Sequence, residues 1–202
     1  MAIRKVGVLG CGLMGSGIAE IAAKAGFETV VREVSDGLLE KGMGRIRGSL
    51  ARAGEKGKMT ADERDVVLGR IQGTTGFEAM ADCDLVVEAI VENLDEKKST
   101  YAALDKVVQP AAIFASNTSS LTVTQLAMAT SRPSRFVGLH FFNPVPVMKL
   151  VEVVRTLLTD DAVLAEVDVF CRALGKTPVA CRDNSGFIVN RLLVPYILDA
   201  VR

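Results

Sequence analysis

Near its N-terminus the chain reads VGVLGCGLMGSGIAEIAAKAG, and few folds accommodate that order of residues. Ile3 to Leu9 reads as a buried strand, and Gly10, Gly12 and Gly15 follow it in G-x-G-x-x-G spacing. Ser16 to Ala25 then reads as a helix that Gly26 can end, and Phe27 to Val31 as a second strand. In a strand, turn, helix, strand unit each glycine has its own task. Gly10 permits the tight turn, Gly12 lets backbone approach a pyrophosphate, and Gly15 lets the helix pack on the strand. Leu13 and Met14 lie inside the same turn, where the free N–H groups of the helix start face phosphate, so they count with the glycines as cofactor-binding positions.

A dinucleotide site of this type needs an acid about twenty residues on, at the end of the second strand, to accept hydrogen bonds from the adenosine ribose. Arg32-Glu33 stand there. Glu33 favours NAD, while Arg32 beside it leaves a 2′-phosphate and NADP as the minority alternative. A glycine-rich turn without a ligand is the other alternative.

The rest of the chain alternates in the same manner. Residues 35–70 form a charged helical stretch broken at GEKGKMT, followed by short strands near 71–75 and 84–88, a helix over about 94–108 and a strand at Ala112 to Ser116. A strand ending at His140, a reversal, a helix over about 160–174 and a strand at Thr177 to Cys181 come next, and a last helix runs from Phe187 to the terminus. This order predicts an α/β fold of Rossmann type: a doubly wound, mainly parallel sheet with helices on both faces. The turn-forming Asp183-Asn184-Ser185-Gly186 marks the one plausible domain boundary.

Composition removes other classes. Lys+Arg and Asp+Glu both total 24, so no overall basic field attracts nucleic acid. Cys11, Cys83, Cys171 and Cys181 form no CxxC pair, and one histidine cannot build a cluster, which argues against a metal site and a disulfide framework and for reduced thiols in a cytoplasmic setting. No run is long enough to span a membrane.

That one histidine lies in GLHFFNPVPVMKLVEVV, residues 138–154. With Pro146 as the centre of the reversal, His140 and Glu152 are equally distant along the chain, so an antiparallel return sets them opposite each other on one face. A carboxylate behind an imidazole fixes its tautomer and raises its basicity, the arrangement of a general base. A core histidine satisfied by backbone is the alternative for His140 taken alone. Two further stretches remain open on spacing alone. Ala115-Ser116-Asn117-Thr118-Ser119-Ser120 follows a strand, where open sheets bind ligands, yet such clusters more often make turns and caps. KGMGRIRGSLARAGEKGK carries six basic residues against Glu55, either a solvated helix face or a docking surface for a polyanionic handle such as coenzyme A.

FASNTSSL, FVGLHFFNPVPVMKLVEVV, CRDNSGFIVNRLLVPY, VGVLGCGLMGSGIA and DLVVEAIVENLDEKK together resemble the L-3-hydroxyacyl-CoA dehydrogenase family over the whole chain. The resemblance implies NAD-linked oxidation of (3S)-3-hydroxyacyl-CoA to 3-oxoacyl-CoA, or the reverse, with His140 as base and Glu152 as its orienting partner. It implies that Ser119 bonds the reacting 3-oxygen with Asn190 beside it, that Asn143 supports the histidine and nicotinamide end, that Glu92 and Lys97 lie near the nicotinamide ribose, and that Ser49 and Lys56 serve the coenzyme A side. No metal, nucleic-acid or membrane partner is implied.

The resemblance also implies a second, all-helical domain. Residues 1–184 are expected to form the NAD-binding domain and 185–202 the first helix of that second unit, with homo-oligomerisation as a property of the full length and low activity for a chain lacking the rest. The apolar residues of the terminal helix occupy nearly every face, so it is expected to pack back on its own domain or on another copy. Two other readings compete: a β-hydroxyacid dehydrogenase of the 6-phosphogluconate type, which calls for a catalytic lysine and lacks the His-Phe-Phe-Asn-Pro block, and a non-catalytic relative such as the lens lambda-crystallins.

Overall fold

The computed structural model describes residues 3–202. Of the expected 1–184 domain, Met1 and Ala2 therefore lie outside the described residues. One sheet of eight strands organises the rest: β1 Lys5–Leu9, β2 Glu28–Arg32, β3 Ile71–Thr74, β4 Leu85–Glu88, β5 Ile113–Ser116, β6 Phe136–Phe141, β7 Leu150–Arg155 and β8 Thr177–Arg182. Their spatial order is β3-β2-β1-β4-β5-β6-β7-β8. Every neighbouring pair is parallel except β6 with β7. The order runs backward from β1 to β3 and forward from β4, so the topological switch lies between β1 and β4, the crevice where open α/β sheets take ligands.

Helices α1 Leu13–Lys24, α2 Asp36–Glu55, α3 Ala61–Gly69 and α6 Asp161–Ala173 send Ile18, Ile46, Val67 and Phe170 into one core with Val6, Val8 and Leu139 of the sheet. On the opposite face α4 Leu94–Leu104 and α5 Val123–Ala127 pack Tyr101, Leu104 and Leu126 on Val86, Phe114 and Phe136. The strands β4 and β5 are buried along their whole length, which is why they read as continuous apolar runs and not as alternating ones.

Local chemistry sets the helix ends. The GEKGKMT break is a turn with Gly57 in the left-handed region (φ 66°), and α3 restarts with a reciprocal cap in which Thr60 and Glu63 each bond the other's backbone N–H. Asn93 Oδ1 caps α4 through the N–H groups of Asp95 and Glu96. Arg132 closes the far end: its guanidinium donates to the carbonyls of Asp105, Val108 and Gln109, pairs with the Asp105 carboxylate at 2.7 Å and lies over the Phe114 ring.

Three sequence expectations need correction. The first helix begins at Leu13, three residues early, because the turn itself supplies its first N–H groups. The helix expected to reach 108 ends at Leu104, and the chain adds a short helix, α5, after the serine cluster. The terminal helix, α7 Val189–Val201, starts two residues later than expected, and of the two places expected for it the first is corrected: only its first turn meets its own domain, and every residue from Arg191 to Arg202 is exposed, including Leu192, Leu193, Ile197 and Leu198.

Candidate active site

At the switch point the glycine turn has the shape its spacing demands. Gly10 sits at φ 86°, and a Cβ there would lie 2.7 Å from the Ala89 carbonyl at the end of β4. A Cβ on Gly15 would come within 1.8 Å of the Gly10 carbonyl. The fold itself therefore requires both glycines. Gly12 differs: its φ is −68° and an added Cβ would meet nothing within 4 Å. The folded chain gives no reason for a glycine there, whereas a ligand seated on the turn does. Gly12 is also the N-cap of α1, with no side-chain cap and no acid in the first turn, so the N–H groups of Leu13 and Met14 remain free for phosphate oxygens.

Glu33 reaches back from the end of β2 to accept the Cys11 N–H at 2.6 Å and the Val34 N–H at 3.1 Å, which places its carboxylate at the mouth of the turn. Arg32 turns the other way. Its Nε donates to the Thr75 carbonyl at 3.1 Å and its guanidinium stacks 4.3 Å over the Phe77 ring, so the cation that could hold a 2′-phosphate is engaged elsewhere. These residues fit NAD.

Next to the turn, a cleft of about 420 Å³ is lined by Met14, Ala89, Ile90, Glu92, Asn117, Ser119, His140, Phe141, Phe142, Asn143 and Asn190. His140 and Glu152 are register partners across the antiparallel pair β6 and β7, and His140 Nδ1 lies 2.6 Å from Glu152 Oε2. Glu152 is 1% exposed and His140 is 7% exposed, so the carboxylate is the inner member and the imidazole opens on the cleft. A carboxylate only accepts, so a neutral imidazole held here presents Nδ1–H to Glu152 and turns its other nitrogen, Nε2, to the cleft. Phe142 and Phe187 flank the ring at centroid distances of 4.6 and 5.6 Å.

Opposite the dyad, Asn190 Nδ2 donates to the Ser119 carbonyl at 3.3 Å, and the Ser119 hydroxyl and N–H both reach Glu92 Oε1. The serine cluster does both things its composition allows. The Ser116 and Thr118 oxygens accept backbone N–H bonds and form the turn, while Ser119 faces the cleft.

Beneath Ser119 lies a charged cluster that spacing alone did not reveal. Lys97 is 1% exposed and its Nζ contacts Glu88 Oε1 at 2.5 Å and Glu92 Oε2 at 3.2 Å. Glu88, fully buried, also accepts the Ser116 hydroxyl at 2.7 Å and the Ile90 N–H at 2.8 Å. Lys97 thus reaches the cleft through Glu92 and not by its own ammonium. Burial pushes the Glu92 carboxyl up, but the Thr118 hydroxyl, the Ser119 N–H and Lys97 together outweigh it and hold it below the usual carboxylate value. Asn117, a cleft residue with no mark in the sequence beyond the serine cluster around it, accepts the Phe141 N–H at 2.9 Å and ties β6 to the loop after β5.

A second groove of about 370 Å³ runs between α1, the exposed face of α2 and the reversal 143–147. Ser49 lines it with Arg45 and Arg52, and Asn143 lines both grooves. Lys56, the C-cap of α2, is exposed and does not line it. The reversal sits close because residue 17 is glycine: a Cβ there would lie 2.8 Å from Val145 Cβ. All four cysteines are free, and burial pushes the thiols up, Cys11 to about 11 and Cys83, Cys171 and Cys181 to about 12. Among the described residues no group of three potential metal ligands occurs, and no helix is long and apolar enough to cross a membrane.

A glycine cradle at the switch of a doubly wound sheet, with a histidine and carboxylate beside it, defines the class of nicotinamide-linked oxidoreductases on a Rossmann-type fold. Comparison narrows the class. The family model for the 3-hydroxyacyl-CoA dehydrogenase NAD-binding domain matches residues 5–184, and the chain belongs to that family. It is 52% identical over 203 residues to the 3-hydroxybutyryl-CoA dehydrogenase of Mycobacterium tuberculosis, covering 100% of this chain and 71% of that protein. It is 47% identical to the mitochondrial hydroxyacyl-coenzyme A dehydrogenase of Rattus norvegicus, covering 99% of this chain and 66% of that one. Among solved structures, the (S)-3-hydroxybutyryl-CoA dehydrogenase of Ralstonia eutropha superposes with a TM-score of 0.97 at 43% identity, covering 98% of this chain and 70% of the other.

Proposed function

We propose that the chain carries out NAD-linked oxidation of a (3S)-3-hydroxyacyl-CoA, or the reverse reduction, with His140 as general base and Glu152 as its orienting partner. The observation that carries this reading is the buried 2.6 Å contact between His140 Nδ1 and Glu152 Oε2 at the wall of a cleft that also holds Ser119 and Asn190. When bound, the nicotinamide ring supplies the acceptor for the hydride from C3. His140 Nε2 takes the proton of the 3-hydroxyl as the carbonyl forms, and Glu152 stabilises the resulting imidazolium. Ser119 and Asn190 face the oxygen on which charge develops, in the manner of an oxyanion contact. Glu33, Glu92 and Asn143 hold the cofactor at its two ends, and Lys97 keeps Glu92 in place.

The groove with Arg45, Ser49 and Arg52 is the place we assign to the coenzyme A handle, since it adjoins the cleft through Asn143 and is lined by two cations. Residues up to 184 form the nucleotide-binding unit, and α7 opens a helical unit whose other members cover its apolar faces, in the same chain or in a second copy. The four free cysteines suit a reducing, cytosol-like compartment.

The test is steady-state turnover of NADH and of NADPH with acetoacetyl-CoA and longer 3-oxoacyl-CoA substrates. NADH should be preferred by at least about 10²-fold, because Glu33 repels a 2′-phosphate and Arg32 is engaged. Equal use of the two nucleotides, or no turnover of any 3-oxoacyl-CoA, would sink the proposal.

A further inference from the structure

The dyad carboxylate has a second oxygen, and the reaction does not use it. Glu152 Oε1 accepts the Ile188 N–H at 2.9 Å and the Val189 N–H at 2.8 Å. These are first-turn donors of α7, whose N-cap Ile188 offers no side-chain bond of its own. The acid on β7 therefore serves as the cap that α7 lacks, satisfying two of the N–H groups that a helix start leaves without an intrahelical partner.

The chain enters α7 by an uncommon route. Gly186 (φ 74°) and Phe187 (φ 48°) stand in succession in the left-handed region, which glycine adopts freely and a residue as bulky as phenylalanine does not. What offsets the strain is burial: Phe187 is 5% exposed, packs in the same core as Phe114 and Val154, and lays its ring 5.6 Å from that of His140. One turn of chain thus meets the site three times, through the Phe187 ring on His140, through two N–H groups on Glu152, and through Asn190 on Ser119.

We propose that Phe187 is a positioning residue for the reaction: it seats the first turn of α7 on the second oxygen of Glu152, so that the orientation of His140 depends on how that helix is docked. If the turn lifts, Oε1 is left buried without a donor, a state costly enough that the carboxylate swings away to find one. That movement removes the acceptor that fixes Nδ1–H. This rests on the assignment of His140 and Glu152 above, and it adds a coupling between the helical unit and the base.

Amide hydrogen exchange at Ile188 and Val189, measured in the full chain with NADH bound, reads docking directly, and kcat reads the base. Phe187→Ala should speed exchange at both amides by about tenfold or more and lower kcat by about 10², with the NADH dissociation constant unchanged. Phe187→Leu, which keeps an apolar side chain in the pocket, should recover most of both. Glu152→Gln retains an oxygen for the two N–H groups, so exchange should stay slow while turnover is lost. Slow exchange in Phe187→Ala, or fast exchange with kcat intact, overturns the proposal. If Phe187→Ala fails to bind NADH at all, Phe187→Leu decides: protection and kcat must rise or fall together in it. Survival of turnover in a His140 variant would instead sink the site assignment and leave the exchange result standing.

Discussion

The glycine cradle and the acid–base cleft share one crevice but are built by different means. The cradle comes from a single short segment, residues 10–15, plus one acid at the end of the next strand. The cleft draws on β4, β5, β6, β7 and α7, with bonds across 71 residues between Asn190 and Ser119 and 36 between Ile188 and Glu152. The phosphate-facing part of the cradle is set by this local segment packed on β1 and β4, whereas the cleft is right only when five elements meet in register. Changes in the cradle should therefore appear in affinity and changes in the cleft in rate.

The largest effect expected from this division is at His140. His140→Gln should lower kcat by about 10²–10⁴, the usual worth of a general base, while NADH affinity stays within about twofold. Stopped-flow single-turnover rates and cofactor titration measure the two separately. A loss of NADH affinity as large as the loss of rate would mean that cradle and cleft are one unit after all.

A smaller effect sharpens the same contrast from the cradle side. Gly12→Ala places a methyl in open space, so stability should fall by less than about 1 kcal/mol, the cost of a poorer N-cap. NADH should nonetheless bind roughly tenfold more weakly, since about 1.4 kcal/mol goes with one backbone–phosphate hydrogen bond. Gly15→Ala is the control in which the methyl meets the Gly10 carbonyl at 1.8 Å, and there binding and stability should fail together. Calorimetric titration and urea unfolding of both variants check it; unchanged NADH affinity in Gly12→Ala would show that nothing approaches that backbone.

The same division explains what could be read in the sequence. The glycine turn, the alternation of strands and helices and the doubly wound sheet follow from short-range pattern, and so does the placing of His140 against Glu152, because equal spacing about Pro146 encodes the register. The features that escaped depend on distant partners. Helix α5 has five residues and no cap of its own; its N-terminus is held by Asp183, which accepts from Val123 N–H, Thr124 N–H and the Thr124 hydroxyl from about 60 positions away. Lys97 is placed near the nicotinamide ribose by the resemblance alone; that it is a buried ion held by Glu88 and Glu92 depends on the packing of α4 against β4. The choice between Glu33 and Arg32 is settled by Thr75 and Phe77, forty-odd residues on. Phe187 reads as one more apolar residue of the terminal helix, and its left-handed backbone has no sequence mark beyond the glycine before it.

The smallest expected effect lies at the seam between the two regions, where Glu92 receives the Ser119 loop on one oxygen and Lys97 on the other. Its folded value is depressed relative to an unfolded carboxylate near 4.5, since the bonds from Thr118, Ser119 and Lys97 outweigh desolvation. A group depressed in this way contributes stability in full above its unfolded value, and that contribution disappears as pH falls through the lower, folded value. The Glu92 side chain is 37% exposed, so solvent screening limits the contribution to under about 1 kcal/mol. Glu92→Gln should therefore be less stable than the parent at neutral pH, with the gap closing below about pH 4.5. Urea midpoints for both proteins from about pH 7 to pH 3.5 give the comparison directly. A gap that widened on acidification would mean that the Thr118 hydroxyl, the Ser119 N–H and Lys97 do not favour the ionised form, and that the cleft wall is held by packing instead of charge.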